Sequence, residues 1–337
     1  MPKAVIMAGG QGERFWPLTH KDFPKYRIKF DGKKSLFQET YRRLLKIYKK
    51  NDIYIVTTQP HMKMIGEELP LLDKTHIFIE PFRNNTCSAI YLSCALLRAR
   101  FGEEEMVSFF PADHLIKNEA LFKKTLQNAI HLASHKNNLV TIGIEPTFPA
   151  IGYGYIQKGK PMPGFSSLWQ VARFVEKPNL KKANQYLREK KYLWNAGIFT
   201  WRLGVFMRAM ERHCPDFSKG LNLKNLPASY GRWPNLSIDF ALMEKADNIA
   251  VCSTRMDWCD MGSWDMLFEK SHKDAQNNHV EGFFYHKEMC DSLIVNQSPQ
   301  PVVVLGVSNL LVIQTPRGTL ICQKGRAEEA ALLSKKL

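Results

Sequence analysis

The stretch Met7-Ala8-Gly9-Gly10-Gln11-Gly12-Glu13-Arg14 comes at the end of an apolar run, Ala4 to Ala8, and its residue types suit a phosphate. Glycines after a strand let backbone amides close on phosphate oxygens where a side chain would block the approach, and some such turns need positive φ. Arg14 adds a fixed cation beside the loop, suited to a triphosphate. Spacing narrows the class. Phe15 stands where a dinucleotide fingerprint needs glycine, and no Gly-Lys-Ser/Thr occurs, so neither a dinucleotide-dependent dehydrogenase nor a Walker-type ATPase is supported. In Phe23-Pro24-Lys25 a proline holds a lysine where a compact charge could neutralise transferring phosphates. In Phe109-Phe110-Pro111-Ala112-Asp113-His114 an apolar strand ends in an aspartate. A carboxylate beyond the carboxyl end of a strand can hold Mg²⁺ against a nucleotide, or it can cap the next helix. His114 reads as a supporting residue. Asp260, in Trp258-Cys259-Asp260-Met261-Gly262-Ser263-Trp264, offers a second carboxylate for a hard-oxygen magnesium site, with Asp257 and Asp265 as neighbours of the same chemistry.

Two further segments could receive an acceptor. Phe174-Val175-Glu176-Lys177-Pro178 supplies a carboxylate for hydroxyls and a lysine for a phosphate, although Glu-Lys on a strand is usually a surface pair. Trp194-Asn195-Ala196-Gly197-Ile198-Phe199 offers an amide at an apolar turn, and Tyr153-Gly154-Tyr155 could bring backbone close to a ring or form a bulge.

The elements that must hold these residues alternate strand-like and helix-like runs, the pattern of a mostly parallel sheet covered on both faces. Strands are expected at Ala4 to Met7, Ile53 to Thr57, Ile77 to Ile79, Met106 to Phe110 and Leu139 to Ile144. Ser35-Leu36-Phe37-Gln38 reads as a capping box opening a helix whose buried face carries Phe37, Tyr41, Leu44, Leu45 and Tyr48. From Gly152 to about Leu203 the texture is β-rich, with strands at Tyr155-Ile156-Gln157 and Val171 to Glu176 and a helix from about Leu180 to Lys191 capped by Asn179. Beyond about residue 280, brief runs at Val302 to Leu305, Leu310 to Ile313 and Leu320 to Ile321 suggest a small β-appendage, a β-helix coil being one form, followed by a helix from Ala327 to Lys336.

With 337 residues, 45% hydrophobic and 23% charged, the chain can bury a large core and lacks a disordered composition. The balance of 47 Lys+Arg against 32 Asp+Glu gives +15, which favours polyanionic partners. The excess is scattered in pairs such as Lys33-Lys34, Lys49-Lys50, Lys123-Lys124, Lys181-Lys182 and Lys335-Lys336, as on solvated helix faces, and no RNP-like strand, zinc-finger spacing or continuous basic helix points to nucleic acid. The 7 cysteines form no CxxC pair, so they read as reduced thiols of a cytoplasmic protein without structural zinc. The Met1-Pro2-Lys3 start leads into too short an apolar run for a signal peptide, and no stretch approaches the roughly 18 apolar residues of a membrane span.

Taken in order, AGGQGERFWPLT, FPK, EPFRNNT, PADH, GYGYI, FVEKP, WNAGIF, SIDFALMEK, WCDMGSW and VVVLGVSNLLVIQTPRGTLI resemble the sugar nucleotidylyltransferase superfamily, and within it the bacterial mannose-1-phosphate guanylyltransferases, over nearly the whole chain. The resemblance implies a Rossmann-like nucleotidyltransferase domain over residues 1–275, with a mostly parallel mixed sheet. It also implies a short left-handed β-helix with a terminal helix over 280–337 that helps form a homodimer. The implied reaction is transfer of GMP from GTP to α-D-mannose 1-phosphate with Mg²⁺. Carried over position by position, it implies nucleotide contacts at Ala8, Gly9, Gly10 and Gly12, triphosphate contacts at Arg14 and Lys25, and Mg²⁺ on Asp113 and Asp260. Glu80, Asn85 and Thr86 resemble the segment beside the guanine, and Gly154, Glu176, Lys177 and Asn195 the sugar-phosphate site, with Arg14, Lys25 and Lys177 as the catalytic cations. Two departures bear on the triphosphate: Gln11 replaces a more common Ser, and Pro24-Lys25-Tyr26-Arg27 replaces Pro-Lys-Gln-Phe. Some relatives carry a fused cupin-type isomerase domain, for which this chain is expected to be too short. A relative using another base or sugar, a silent regulatory relative and a nucleic-acid-binding protein are the competing readings.

Overall fold

Apolar, β-branched runs become strands and amphipathic runs become helices over most of the chain. The computed structural model describes residues 2–334 apart from 11, 31, 166 and 220, so Gln11 and the Lys335-Lys336 end of the expected last helix lie outside the described residues. The strands are β1 (Lys3–Ala8), β2 (Ile53–Thr58), β3 (Ile77–Glu80), β4 (Met106–Pro111), β5 (Leu115–Ile116), β6 (Leu139–Ile144), β7 (Tyr155–Pro161), β8 (Leu168–Val175), β9 (Tyr192–Arg202), β10 (Ile249–Thr254), β11 (Trp258–Cys259), β12 (His279–Glu281), β13 (Phe284–Lys287), β14 (Leu293–Asn296), β15 (Val302–Leu305), β16 (Leu310–Thr315) and β17 (Gly318–Gln323).

The contacts divide the chain into two units, one of Met1–Gly9, Thr40–Ala112 and Ile116–Trp258, the other of Gly10–Glu39, Asp113–Leu115 and Cys259–Leu337. This division cuts across the segments 1–275 and 280–337 drawn from the sequence. The reason is packing: Phe15, Leu18, Ile28 and Leu36 share one apolar core with Trp264, Phe268, Leu293, Val295, Leu311 and Ile313. Short strands with one apolar face must bury it against other chain, and here the loop after β1 supplies it.

In the first unit a nine-stranded sheet runs in the order β3-β2-β1-β4-β9-β6-β10-β8-β7. β1 pairs in parallel with β2 and β4, β2 with β3, and β10 with β6. β9 runs antiparallel to both β4 and β6, and β7 and β8 are antiparallel as well, so the sheet is mixed and its parallel share is smaller than expected. β2 and β6 are buried along their whole length, as strands covered on both faces are. The helix Glu119–His135 is capped by Asn118, whose Oδ1 accepts from the Leu121 amide at 3.0 Å, so Asp113 is not that helix's cap. Asn179 caps the helix Leu180–Glu189 as the sequence indicates.

In the second unit the capping box forms as read: the Gln38 amide donates to Ser35 Oγ and the Ser35 amide to Gln38 Oε1, each at 3.1 Å. On the helix it opens, Leu36–Leu45, Leu45 is exposed, contrary to expectation, because the buried face is already filled by Phe37, Tyr41 and Leu44. After residue 278, β12, β14 and β16 pair in parallel in chain order and β13 pairs in parallel with β15, while β17 folds back antiparallel on β16. The helix Ala327–Ser334 follows.

Candidate active site

In the second unit, three of the expected residues meet at one ammonium group. Lys25 opens a short 3₁₀ turn after Pro24, whose extended ψ of 159° turns the chain so that the lysine points inward. Its Nζ lies 2.6 Å from Asp113 Oδ2 and donates to the Asp260 carbonyl, also at 2.6 Å. The lysine side chain is 11% exposed and that of Asp113 28%, so the pair is screened far less than a surface bridge. Burial alone would raise the Asp113 carboxyl, but Lys25 and then His114 hold it below the ordinary aspartate value. Gly12 explains the tight turn of the loop. Its φ is 73°, and an added Cβ would stand 2.3 Å from Lys25 Cβ, so only glycine allows the loop and the lysine to touch. Arg14 is directed differently: its Nη1 pairs with Glu328 of the last helix at 2.7 Å, both side chains about half exposed.

Asp260 has its carboxylate against Gly262, where a Cβ would come within 2.9 and 3.0 Å of its two oxygens. The two rival aspartates are spent otherwise. Asp265 accepts from the Gly325 and Ala327 amides and so caps the last helix, and Asp257 takes a left-handed φ of 49° with its carbonyl bonded to the Lys117 amide. Among the described residues no group of three or more His, Cys, Asp or Glu could hold a metal. A cation at Asp113 and Asp260 would therefore have two protein carboxylates and draw its other ligands from phosphates and water, a donor set that fits Mg²⁺.

In the first unit Glu80 ends β3, buried, and lies by Gly9, on which a Cβ would be 3.7 Å from Glu80 Oε1. The Tyr230 hydroxyl donates to its other oxygen. Burial pushes the Glu80 carboxyl up to about 7, against the pull of Tyr230 and Arg83. The Ala8 carbonyl accepts from Thr57 Oγ1 at 2.6 Å, which fixes the end of β1. Asn85 starts the helix Asn85–Phe101 with φ 64°, and its Oδ1 accepts from the Thr86 amide. Thr86 Oγ1 accepts from the Ile238 amide at 3.0 Å, so this hydroxyl ties the helix start to the segment before Asp239.

A second cluster in the first unit joins all four residues expected around an acceptor. The Asn195 amide N–H donates to the Gly154 carbonyl at 2.8 Å, and a Cβ on Gly154 would lie 2.5 Å from Glu176 Oε2. Glu176 is 9% exposed at its side chain, and Lys177, at φ 43°, turns back to put Nζ 2.8 Å from Glu176 Oε1. Asn195 Oδ1 accepts from Thr141 Oγ1 and the Gly197 amide, which fixes the orientation of its side-chain amide and sends Nδ2 to Asp239 Oδ1 at 2.9 Å. Sequence reasoning assigned Asp239 no role. It opens a wide i→i+5 turn, closed by the Glu244 amide on the Asp239 carbonyl, a geometry frequent at functional sites. Burial and then Glu176 push its carboxyl up to about 7. Tyr230 was missed as well; one aromatic among 11 tyrosines carries no signal until the fold sets it on Glu80. A wall of rings, Phe148, Tyr153, Trp194 and Trp258, stands beside Gly154, with Tyr153 at 5.2 Å from both tryptophans.

The second unit offers one buried cation bridging two aspartates, and the first offers one buried glutamate beside Gly9 and one carboxylate-amide-lysine cluster behind a close backbone approach. The nucleotidyl transferase family model matches residues 3–277. Mannose-1-phosphate guanylyltransferase of Escherichia coli is 33% identical over 342 residues, covering 96% of this chain and 71% of its own length. Its counterpart in Sinorhizobium fredii is 31% identical over 353 residues, covering 100% and 68%. A solved structure from Thermus thermophilus described as mannose-1-phosphate geranyltransferase superposes with a TM-score of 0.87 at 28% identity, covering 99% of this chain and 98% of that one. The chain therefore belongs to the nucleotidyl transferase family, with the mannose-1-phosphate guanylyltransferases, and is a sugar-1-phosphate nucleotidyltransferase.

Proposed function

We propose that this enzyme transfers GMP from GTP to α-D-mannose 1-phosphate, giving GDP-mannose and pyrophosphate. The observation that carries the reading is Lys25, held at once on the Asp113 carboxylate and the Asp260 carbonyl, in a chain whose relatives are mannose-1-phosphate guanylyltransferases. The acceptor phosphate is already anionic at neutral pH, so its oxygen attacks the nucleotide α-phosphorus in line, without a general base or a covalent enzyme intermediate. Catalysis is then positioning and charge neutralisation. Lys25 neutralises nucleotide phosphates, Arg14 exchanges Glu328 for a phosphate oxygen, and the Gly10 and Gly12 backbone lies close to the triphosphate. Asp113 and Asp260 would hold Mg²⁺, which when bound supplies charge stabilisation on the phosphates. Glu80 favours guanine because that base presents an N1–H beside a 2-amino group, two donors for one carboxylate, whereas adenine presents an acceptor at N1. Ala8, Gly9, Asn85 and Thr86 shape the same end of the nucleotide site. Lys177 carries the acceptor phosphate, and Glu176, Asn195 and the Gly154 backbone address its hydroxyls.

The C-terminal strands are read as a left-handed coil on the family resemblance alone, and the exposed apolar row of Tyr285, Val303 and Leu305 along them supports their reading as the seat of a homodimer. Free thiols at Cys87, Cys94, Cys214, Cys252, Cys259, Cys290 and Cys322 fit a cytoplasmic enzyme, and no helix among the described residues is long and apolar enough to cross a membrane. The test is pyrophosphate release with Mg²⁺ from GTP, ATP, UTP or dTTP against mannose 1-phosphate and glucose 1-phosphate. Release confined to GTP with mannose 1-phosphate is expected; release with another pair moves the substrate, and silence from folded protein removes the proposal. In the same assay Lys25→Ala should lose roughly 10² to 10³ in turnover.

A further inference from the structure

A cavity outside the groups already described has a volume of about 530 Å³, within the range of small-ligand sites. It is lined by Lys158, Lys190, Arg255 and Glu145 around the tyrosines Tyr186 and Tyr192, all within the first unit. None of these residues belongs to the acceptor cluster or to the Glu80 end. Tyr186 and Tyr192 stack on each other, centroids 3.8 Å apart, and each is more than nine-tenths buried. Neither hydroxyl has a protein hydrogen-bond partner among the described residues.

Among the lining residues three cations stand against one acid, and that acid is already taken, with Arg255 Nε 2.6 Å from Glu145 Oε2; just outside the lining, Glu189 and Arg173 act on Tyr192 with opposite sign. Lys190 itself ends the helix Leu180–Glu189 in left-handed backbone, with φ 54°. Lys158 is steadied on the face of Trp169, 5.4 Å from the ring centre. A surplus of positive charge beside two rigid hydroxyls matches a ligand with a dianionic group at one end and several hydroxyls at the other.

We propose that this cavity is a second binding site, distinct from the acceptor cluster, for a phosphorylated sugar. The phosphate sits on Lys158, Lys190 and Arg255, with Arg255 exchanging Glu145 for it, and the sugar hydroxyls meet Tyr186 and Tyr192.

The probe is mannose 6-phosphate, titrated calorimetrically into the full chain, with inorganic phosphate and free mannose as the two partial probes. Binding should be saturable and should weaken about tenfold or more in Lys158→Ala/Arg255→Ala, the loss of charge-assisted contacts worth about 1.4 kcal/mol per decade. It should persist in Lys177→Ala, which alters only the acceptor cluster. Glu145→Gln should tighten it by freeing Arg255. Equal binding of inorganic phosphate and mannose 6-phosphate would overturn the sugar assignment. Binding abolished by Lys177→Ala and untouched by the double variant would overturn the second site, as would no binding at millimolar probe. The altered cations are surface side chains, so both variants should fold, and far-ultraviolet circular dichroism checks that they do.

Discussion

At Asp239, burial and a neighbouring carboxylate act in the same direction. The folded protein holds this carboxyl near 7, against an ordinary value of 3.8, and Glu80 is raised to about 7 in the same sense. A carboxyl raised on folding binds more protons in the native state than in the unfolded chain between the two values. Stability from these groups therefore falls as pH rises from about 4 to about 7, and the full cost stands above that window. Asp239→Asn keeps an oxygen for the Asn195 amide and removes the charge. It should leave stability near that of the parent at about pH 4 and exceed it progressively up to pH 7, on the scale of about 1.4 kcal/mol for each pH unit separating the two states. Urea unfolding at a series of pH values measures this, and parallel curves for the two proteins would refute it. Lys25 behaves oppositely. Its removal leaves a partly buried Asp113 unpaired, so Lys25→Ala should lose about 1 to 3 kcal/mol of stability besides activity.

The turn after β1 works as an element because of one contact. Gly10 and Gly12 look alike in the sequence, yet a Cβ at Gly10 meets nothing within 4 Å while one at Gly12 strikes Lys25 and requires a left-handed backbone. Gly12→Ala should therefore lose about 1 to 3 kcal/mol and displace the lysine, whereas Gly10→Ala should unfold within about 0.5 kcal/mol of the parent. Equal denaturation midpoints for the two variants would show that the contact is not what constrains the loop. This difference could not be read from the residues, since the glycine pair is local but its neighbour Lys25 is brought there by the fold. What was legible followed from local rules: strand periodicity put β1, β2, β4 and β6 within a residue or so, and the Ser35–Gln38 capping box formed as written. What escaped depended on contacts distant along the chain. Phe15 and Trp264, 5.0 Å apart edge to face, tie the loop after β1 to the helix Trp264–Lys270, and no window of sequence contains both. Asp239 stood inside a quoted motif, but its partner Asn195 lies 44 positions away.

For the whole molecule, surface charge and surface hydrophobicity pull against each other. The chain carries +15, so two copies repel at long range. On the coil, however, parallel β13 and β15 align Tyr285 beside Val303 and Lys287 beside Leu305, and the three apolar residues are 63%, 71% and 65% exposed with Phe283 adjacent at 49%. Such an exposed row on an edge pair would suit an association surface, and closed two-fold pairing would bury it while leaving no free edge to propagate. The repulsion is long-ranged and screened over about 8 Å at physiological salt, whereas apolar burial is indifferent to salt of this strength. Self-association through this row should therefore strengthen as sodium chloride rises from about 50 to 500 mM, the reverse of an interface held by ion pairs. Sedimentation equilibrium across that range tests it, with Val303→Lys as the comparison: the exposed site should accept the lysine without unfolding, and the variant should remain monomeric at every salt concentration. A dimer that dissociates as salt rises, or one that survives Val303→Lys unchanged, would put the interface on a charged surface elsewhere.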